Sequence, residues 1–247
     1  MVFSSLLVAN QVNTDRKKLE QYLKKARISG LKSSVTRTIA YFVDLDDGNI
    51  KRRGFLKFTD NRRPNFVSDS FAYGLAAYEM DKLLDLNIIP PNVEREVDGQ
   101  KASLMLLVDR EMDEGGRRLR KIEPPDPEKF FNTLEVIKVF EYLVYSTSLC
   151  IESDLEDVLI TPQWKVWRVD FSEAFEPSPG LIQGCEITRC SRKFYQNLVS
   201  LKDKEIKSKM KKYLNKEEIN ALLKRKKLII ETIRKLIEEK GEKAVLF

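Results

Sequence analysis

Three charged side chains stand where their apolar neighbours would carry them out of water, and together they could hold a phosphate and a cation. The stretch WKVWRVDFSEAF, residues 164–175, reads as a strand with Trp164, Val166 and Arg168 on one face and Lys165, Trp167 and Val169 on the other. It closes on Asp170, where the alternation breaks. Lys57 lies in GFLKF, sharing a strand face with Phe55. Glu79 falls four residues after Leu75 and four before Leu83, inside the apolar stripe of a helix expected over residues 71–86. Each has an ordinary explanation: a turn-forming aspartate, a lysine reaching along its stem to solvent, a glutamate at the rim of a helix. Their order suggests another one. A strand lysine gripping phosphates, a helix carboxylate holding that lysine and an aspartate binding magnesium are the parts phosphoryl transfer from a nucleotide requires. A buried carboxylate needs a partner, and Lys57 is the natural one for Glu79.

The rest of the composition narrows the chemistry. The chain has 247 residues and no histidine. Ser-His-Asp and Cys-His machinery and histidine-ligated metals are therefore excluded, and proton transfer falls to carboxylates, lysines or water. A metal would be a hard, oxygen-bound cation such as magnesium. Cys150, Cys185 and Cys190 form an odd set without CxxC spacing, read as free thiols in a reducing compartment, the cytoplasm. No apolar run is long enough to span a bilayer, and MVFSSLLVAN lacks the basic start of a signal peptide. Charge is uneven. Residues 189–243 carry 18 Lys and Arg against 8 Asp and Glu, while the first 188 residues carry 26 against 30. The basic helices could meet an anionic partner or be ordinary solvated faces.

These residues need a scaffold of two parts. A short helix over residues 15–26 precedes a hairpin, 34–45 and 50–60, turning on Asp-Gly. A polar loop leads into the helix at 71–86, and a second Asp-Gly hairpin covers 92–109. Residues 110–132 are charged, with Gly115-Gly116 and prolines at 124, 125 and 127, and read as a hinge or linker. An apolar helix over 133–146 follows, then a polar loop, a third hairpin (VLI, TPQ, WKVWRVDF) and helices from about residue 192. Asn215 and Glu218 have capping-box spacing at the start of the last. The expected fold is α+β and two-lobed, with a β-rich N-lobe at 1–109, a linker at 110–132 and a mostly helical C-lobe at 133–247.

With these parts in place the chain resembles the small bacterial proteins of kinase-like fold related to the phosphatidylinositol 3- and 4-kinases. The likeness runs from about residue 19 to the C-terminus through FLKF, AAYEMDKLLDLNIIPPNVEREVDGQKASLMLLVD, VLITPQWKVWRVDFSEAF and EEINALLKRKKLIIETI with GEKAVLF. It implies ATP in a cleft between the lobes, Lys57 on the phosphates, Glu79 as its ion-pair partner, Asp170 on magnesium and the backbone at Leu107 and Val108 against adenine. The chain also departs from that pattern. Ser146, Thr147 and Ser148 stand where the family has Asn, Thr and the catalytic Asp, and Leu149 replaces Arg. Glu156-Asp157 replaces Gly-Asn after a longer loop, Phe171 replaces His, and the phosphate-covering stretch SSVTRTIAYF has no glycine. Asp157 can still bind magnesium, and Asp154 could swing into the role of the missing acid. The expectation is a pseudokinase that binds ATP and magnesium with little or no transfer. The alternatives are an active phosphotransferase using Asp154 or Asp157 on an unidentified acceptor, and a binding module using residues 189–243 on an anionic partner.

Overall fold

The computed structural model describes residues 15–33, 39–63 and 67–247. MVFSSLLVAN and residues 34–38, the centre of the stretch expected over the phosphates, lie outside the described residues. The chain divides into two compact units, Met1–Asp60 with Pro90–Leu107, and Asn61–Ile89 with Val108–Phe247.

The first unit is a sheet with one helix. Helix α1, residues 15–25, precedes strands β1 (Arg27–Ser33), β2 (Ala40–Asp46) and β3 (Lys51–Lys57). Two-residue strands β4 (Asp60–Asn61), at the boundary of the units, and β5 (Asp69–Ser70), in the second unit, border the expected polar loop. Strands β6 (Asn92–Val97) and β7 (Gln100–Leu106) complete a five-stranded sheet of order β1-β2-β3-β7-β6. Both expected hairpins are present. In the first, Asp46 and Asp47 carboxylates accept the turn amides of Gly48, Asn49 and Ile50. In the second, Asp98 and Gly99 both have positive φ, at 51° and 76°, the mirror-image turn that matches strand twist. Tyr22 and Leu23 of α1, with Ala26 just beyond it, pack on Val43, Leu45, Leu56 and Leu104, so one face of the sheet is core. Strand β1 was not expected from the sequence, because RISGLKS is mostly exposed and lacks an apolar alternation.

The second unit is mainly helical. It holds α2 (Phe71–Leu83), α3 (Glu114–Leu119), α4 (Pro127–Val144), α5 (Arg192–Ser200), α6 (Asp203–Met210), α7 (Lys216–Lys240) and α8 (Glu242–Val245). A small sheet of order β10-β9-β8 joins β8 (Met112–Asp113), β9 (Val158–Ile160) and β10 (Val166–Arg168). Helix α2 belongs to this unit, although the sequence reading grouped it with the hairpins. The segment 110–132 is built structure: Asp113 caps α3 through the Gly116 amide at 2.7 Å, and Glu114 is fully buried between Arg117 and Arg118. Pro127 opens α4 at its first turn, where the missing N–H costs nothing. The capping box on α7 is complete, with Asn215 accepting from the Glu217 and Glu218 amides and Glu218 accepting from the Asn215 amide at 2.7 Å. Among the described residues no helix is long and apolar enough to cross a membrane.

The cysteine reading needs correction. Cys150 and Cys185 form a disulfide with Cα atoms 5.1 Å apart, across 35 residues of sequence. Only Cys190 is a free thiol, and burial pushes its pKa up to about 12. Spacing could not reveal a pair closed by tertiary folding, and the argument for a reducing compartment loses its support.

Candidate functional site

In the first unit the sheet face opposite α1 carries a graded set of side chains. Strand register aligns Phe42, Phe55 and Met105 in one row, and Ala40, Lys57 and Ser103 in the next. The Phe42 and Phe55 rings meet edge to face at 5.3 Å. Phe42 is 38 % exposed, whereas Lys57 is buried at the end of β3. An apolar row beside an ammonium suits a flat ring joined to an anionic tail. The chain leaves this unit between Leu107 and Val108. The Leu107 N–H donates to the Arg53 carbonyl at 3.0 Å, closing β7 against β3. Val108 belongs to the second unit, and among the described residues its N–H makes no backbone hydrogen bond.

In the second unit α2 starts on Ser70, whose hydroxyl accepts from the Ala72 amide and whose own amide donates to the Ser172 carbonyl at 2.8 Å. Glu79 is partly exposed and forms an ion pair with Lys82 at 2.8 Å, one turn along the helix. The fully buried acid of α2 is Asp81, two positions on; its Oδ1 accepts from the Ile88 amide at 3.0 Å. The apolar stripe therefore sits slightly around the helix from where leucine spacing put it, leaving Glu79 at the edge.

Asp170 answers the question of its strand in the ordinary sense first. It is exposed, has a left-handed φ of 54°, and its Oδ1 accepts from the Ser172 amide at 3.2 Å, an Asx turn. Behind it lies the feature the sequence reading passed over. Arg168, 1 % exposed, and Glu141, 0 % exposed, form an ion pair with Nε donating to Oε1 at 2.8 Å. Glu141 Oε2 also accepts from the Leu149 and Cys150 amides at 2.8 and 3.3 Å. Arg168 Nη2 donates to the hydroxyls of Ser146, at 3.1 Å, and Ser148, and Nη1 lies 3.6 Å from Asp157 Oδ2. Burial pushes the Glu141 pKa up, against the pull of Arg168 and both amides. Both residues had a visible signal, since each is a lone charge within an apolar segment (VFEYLV and VWRV). Opposite signs on elements that pack together are candidates for pairing.

Asp157 ends a short 3₁₀ turn, Leu155–Asp157. Its carboxyl pKa is raised to about 7 by desolvation, against Arg168 and with the help of Asp170, Asp154 and Glu156. Asp154 is exposed and accepts from the Ser153 hydroxyl at 2.8 Å. Asp170, Asp154 and Glu156 thus share one electrostatic neighbourhood with Asp157, and Asp157 and Asp170 share one with Arg168. Because the folded value of Asp157 lies above the unfolded one, its contribution to stability is complete below about pH 4 and lost as pH rises through about 7. The melting temperature of metal-free parent, measured against Asp157→Asn, should therefore fall as pH rises from about 4 through about 7. An unchanged profile in the variant would contradict this.

Magnesium is commonly held by one or two carboxylates together with phosphate oxygens. Asp157 and Asp170 supply that number, and a cation would relieve the crowding of negative charge on Asp157. Among the described residues no group of three or more Asp, Glu or Cys is arranged to hold an ion. A cation there would need donors beyond these two carboxylates.

No protein-family model matches the chain, and no curated protein does. Among solved structures it is similar to the proinflammatory kinase CtkA of Helicobacter pylori, with a TM-score of 0.54 and 9 % identity over 90 % of this chain and 97 % of that one. A MAP kinase of Leishmania major, LmaMPK10, also matches with 9 % identity over 96 % of this chain and 91 % of that one, but its TM-score of 0.32 is too low to argue from. The fold is kinase-like: α+β, with a β-sheet N-terminal region and a helical C-terminal part.

Proposed function

We propose that this is a degenerate relative of the phosphatidylinositol 3-/4-kinase-like proteins, a pseudokinase that binds ATP with magnesium and transfers little or no phosphate. One observation carries the reading. Ser148, the residue standing where the resemblance puts the catalytic carboxylate, is 2 % exposed and its hydroxyl accepts from the buried Arg168. It can neither take up a proton as a carboxylate would nor turn toward a substrate hydroxyl without breaking that network. General-base catalysis contributes roughly 10²–10⁴-fold in typical enzymes, so its loss leaves binding intact while removing most turnover. In this reading Phe42 and Phe55 meet the purine and Lys57 the phosphates, all in the first unit. In the second unit, Asp170 and Asp157 hold the magnesium.

Saturating ATP with magnesium should raise the melting temperature by about 5–10 °C, from roughly 2.7 kcal/mol at a hundredfold excess over Kd. No γ-phosphate label should pass to the protein or to an added acceptor. Label transfer that Asp170→Ala abolishes would reject the pseudokinase reading.

A second reading, an active phosphotransferase, is favoured by Asp157. A carboxyl with a pKa of about 7 is suited to general-base work near neutrality, and CtkA is described as a kinase. Here Asp154 or Asp157 would replace the missing acid. Turnover that survives Asp154→Asn and fails in Asp157→Asn would assign the role to Asp157.

A further inference from the structure

Helix α6 is anchored by Ile206 and Met210, both fully buried, which turns its opposite side to solvent. Lys204, Lys207 and Lys211, at i, i+3 and i+7, form one exposed stripe, with Lys204 and Lys211 turned away from the buried pair and Lys207 at its flank. Asp203, the acid nearest this stripe, is engaged by the buried Lys226 of α7 at 2.9 Å. Its carboxyl is held below the ordinary range by Lys226, with Lys227 and Lys207 adding to the effect, which puts the exposed Lys227 beside the stripe. The remaining acid of α6, Glu205, lies around the helix from it, on the side of Lys209. Among the described residues Lys204, Lys207, Lys211 and Lys227 form no ion pair with any carboxylate. Asp203, already bound to Lys226, offsets little of the repulsion among these ammonium groups, a cost that an anionic partner would reverse.

We propose that the α6 face, with Lys227 of α7, is a docking surface for the phosphate backbone of duplex nucleic acid. From Lys204 to Lys211 the helix rises about 10 Å, the axial length of about three phosphates on one strand. The cations are all lysines, compact point charges without the planar fork that reads base edges, so recognition is of the backbone and not of sequence. No large apolar side chain is exposed between residues 202 and 217, and Leu228, 36 % exposed beside Lys227, is a single side chain and not an apolar face for a bilayer. The aromatic residue there, Tyr213, is half-buried, so no stacking platform for single strands is offered. This surface is separate from the residues assigned above to nucleotide, and either assignment can fail without the other.

The test is fluorescence anisotropy of a labelled duplex of about 20 base pairs against the full chain, over about 25–200 mM salt. The account expects binding with a slope of log K on log salt of about −3 to −4, for some four phosphates neutralised. The triple variant K204Q/K207Q/K211Q should bind at least about tenfold more weakly at the low-salt end and lose about 3 units of that slope. The matching Lys→Arg triple variant, which keeps charge, should bind like the parent. Binding unchanged by the Gln variant, a flat salt response, or association with anionic phosphatidylserine vesicles without duplex binding would each overturn the proposal. So would loss of binding in the Arg variant while its circular dichroism stays native.

Discussion

Replacing Glu141 with alanine should cost about 3–5 kcal/mol of stability, the usual penalty for stranding a buried charge. The reason lies in what remains. Arg168 would keep two serine hydroxyls, the Asp170 carbonyl and the Asp157 carboxylate at 3.6 Å, but lose its fully buried and nearest anion. Glu141 also receives two amides from the turn that carries Leu149 and Cys150, so the variant leaves those donors unmet as well. Denaturant unfolding would measure the loss, and a drop under about 1 kcal/mol would mean the pair is not buried as described. The double variant Glu141→Leu with Arg168→Met should recover most of the loss, since a well-packed apolar pair often replaces a buried ion pair without cost. Recovery in the double variant separates a stranded charge from simple overcrowding of α4.

Reduction of the Cys150–Cys185 bond should cost about 3–4 kcal/mol. The bridge closes a loop spanning 35 residues, and in the chain-entropy account such a constraint on the unfolded chain falls between the values for short and very long loops. The loop also has local meaning. Cys150 follows Leu149 in the turn pinned by Glu141, and the exposed stretch from Ile151 to Asp154 comes next. Guanidinium unfolding with and without a dithiol reductant gives the energy, and Cys150→Ser should reproduce the reduced value. Amide exchange should rise in residues 147–157 on reduction while α4 stays protected. Equal stability in the two redox states would contradict the bridge.

The sequence made much of this fold readable. Period-two and period-3.6 patterns located both hairpins, the small third hairpin and the long helices, because each buries one face. The capping box on α7 was legible because it is a local motif of two residues. Strand β1 was not, since an edge strand with few buried side chains carries little apolar alternation. Helix α3 was hidden by Gly115-Gly116, which read as a linker. Its order comes from the Asp113 cap and the Glu114–Arg117 pair, and so from contacts rather than propensity.

The site was legible in its parts and not in its connections. The lone aspartate after an apolar strand pointed to the neighbourhood of Arg168, and Ser146 and Ser148 fall in the network of that arginine. What tied them together, Arg168 reaching Glu141, Ser146 and Ser148, depends on α4 and β10 packing side by side. No spacing rule reports that. The disulfide was missed for the same reason. Glu79 was placed too far inward because an ideal helix wheel cannot tell a stripe's centre from its edge, and Asp81 took the buried position.

The most direct test of the account is calorimetric titration of ATP into the protein, with and without magnesium, for the parent and for Lys57→Ala. The account predicts saturable binding that magnesium strengthens and that Lys57→Ala weakens by about tenfold or more, the loss of one charge-assisted contact to phosphate. Absence of heat and of competition by ATP against a fluorescent nucleotide analogue in the parent protein would contradict it.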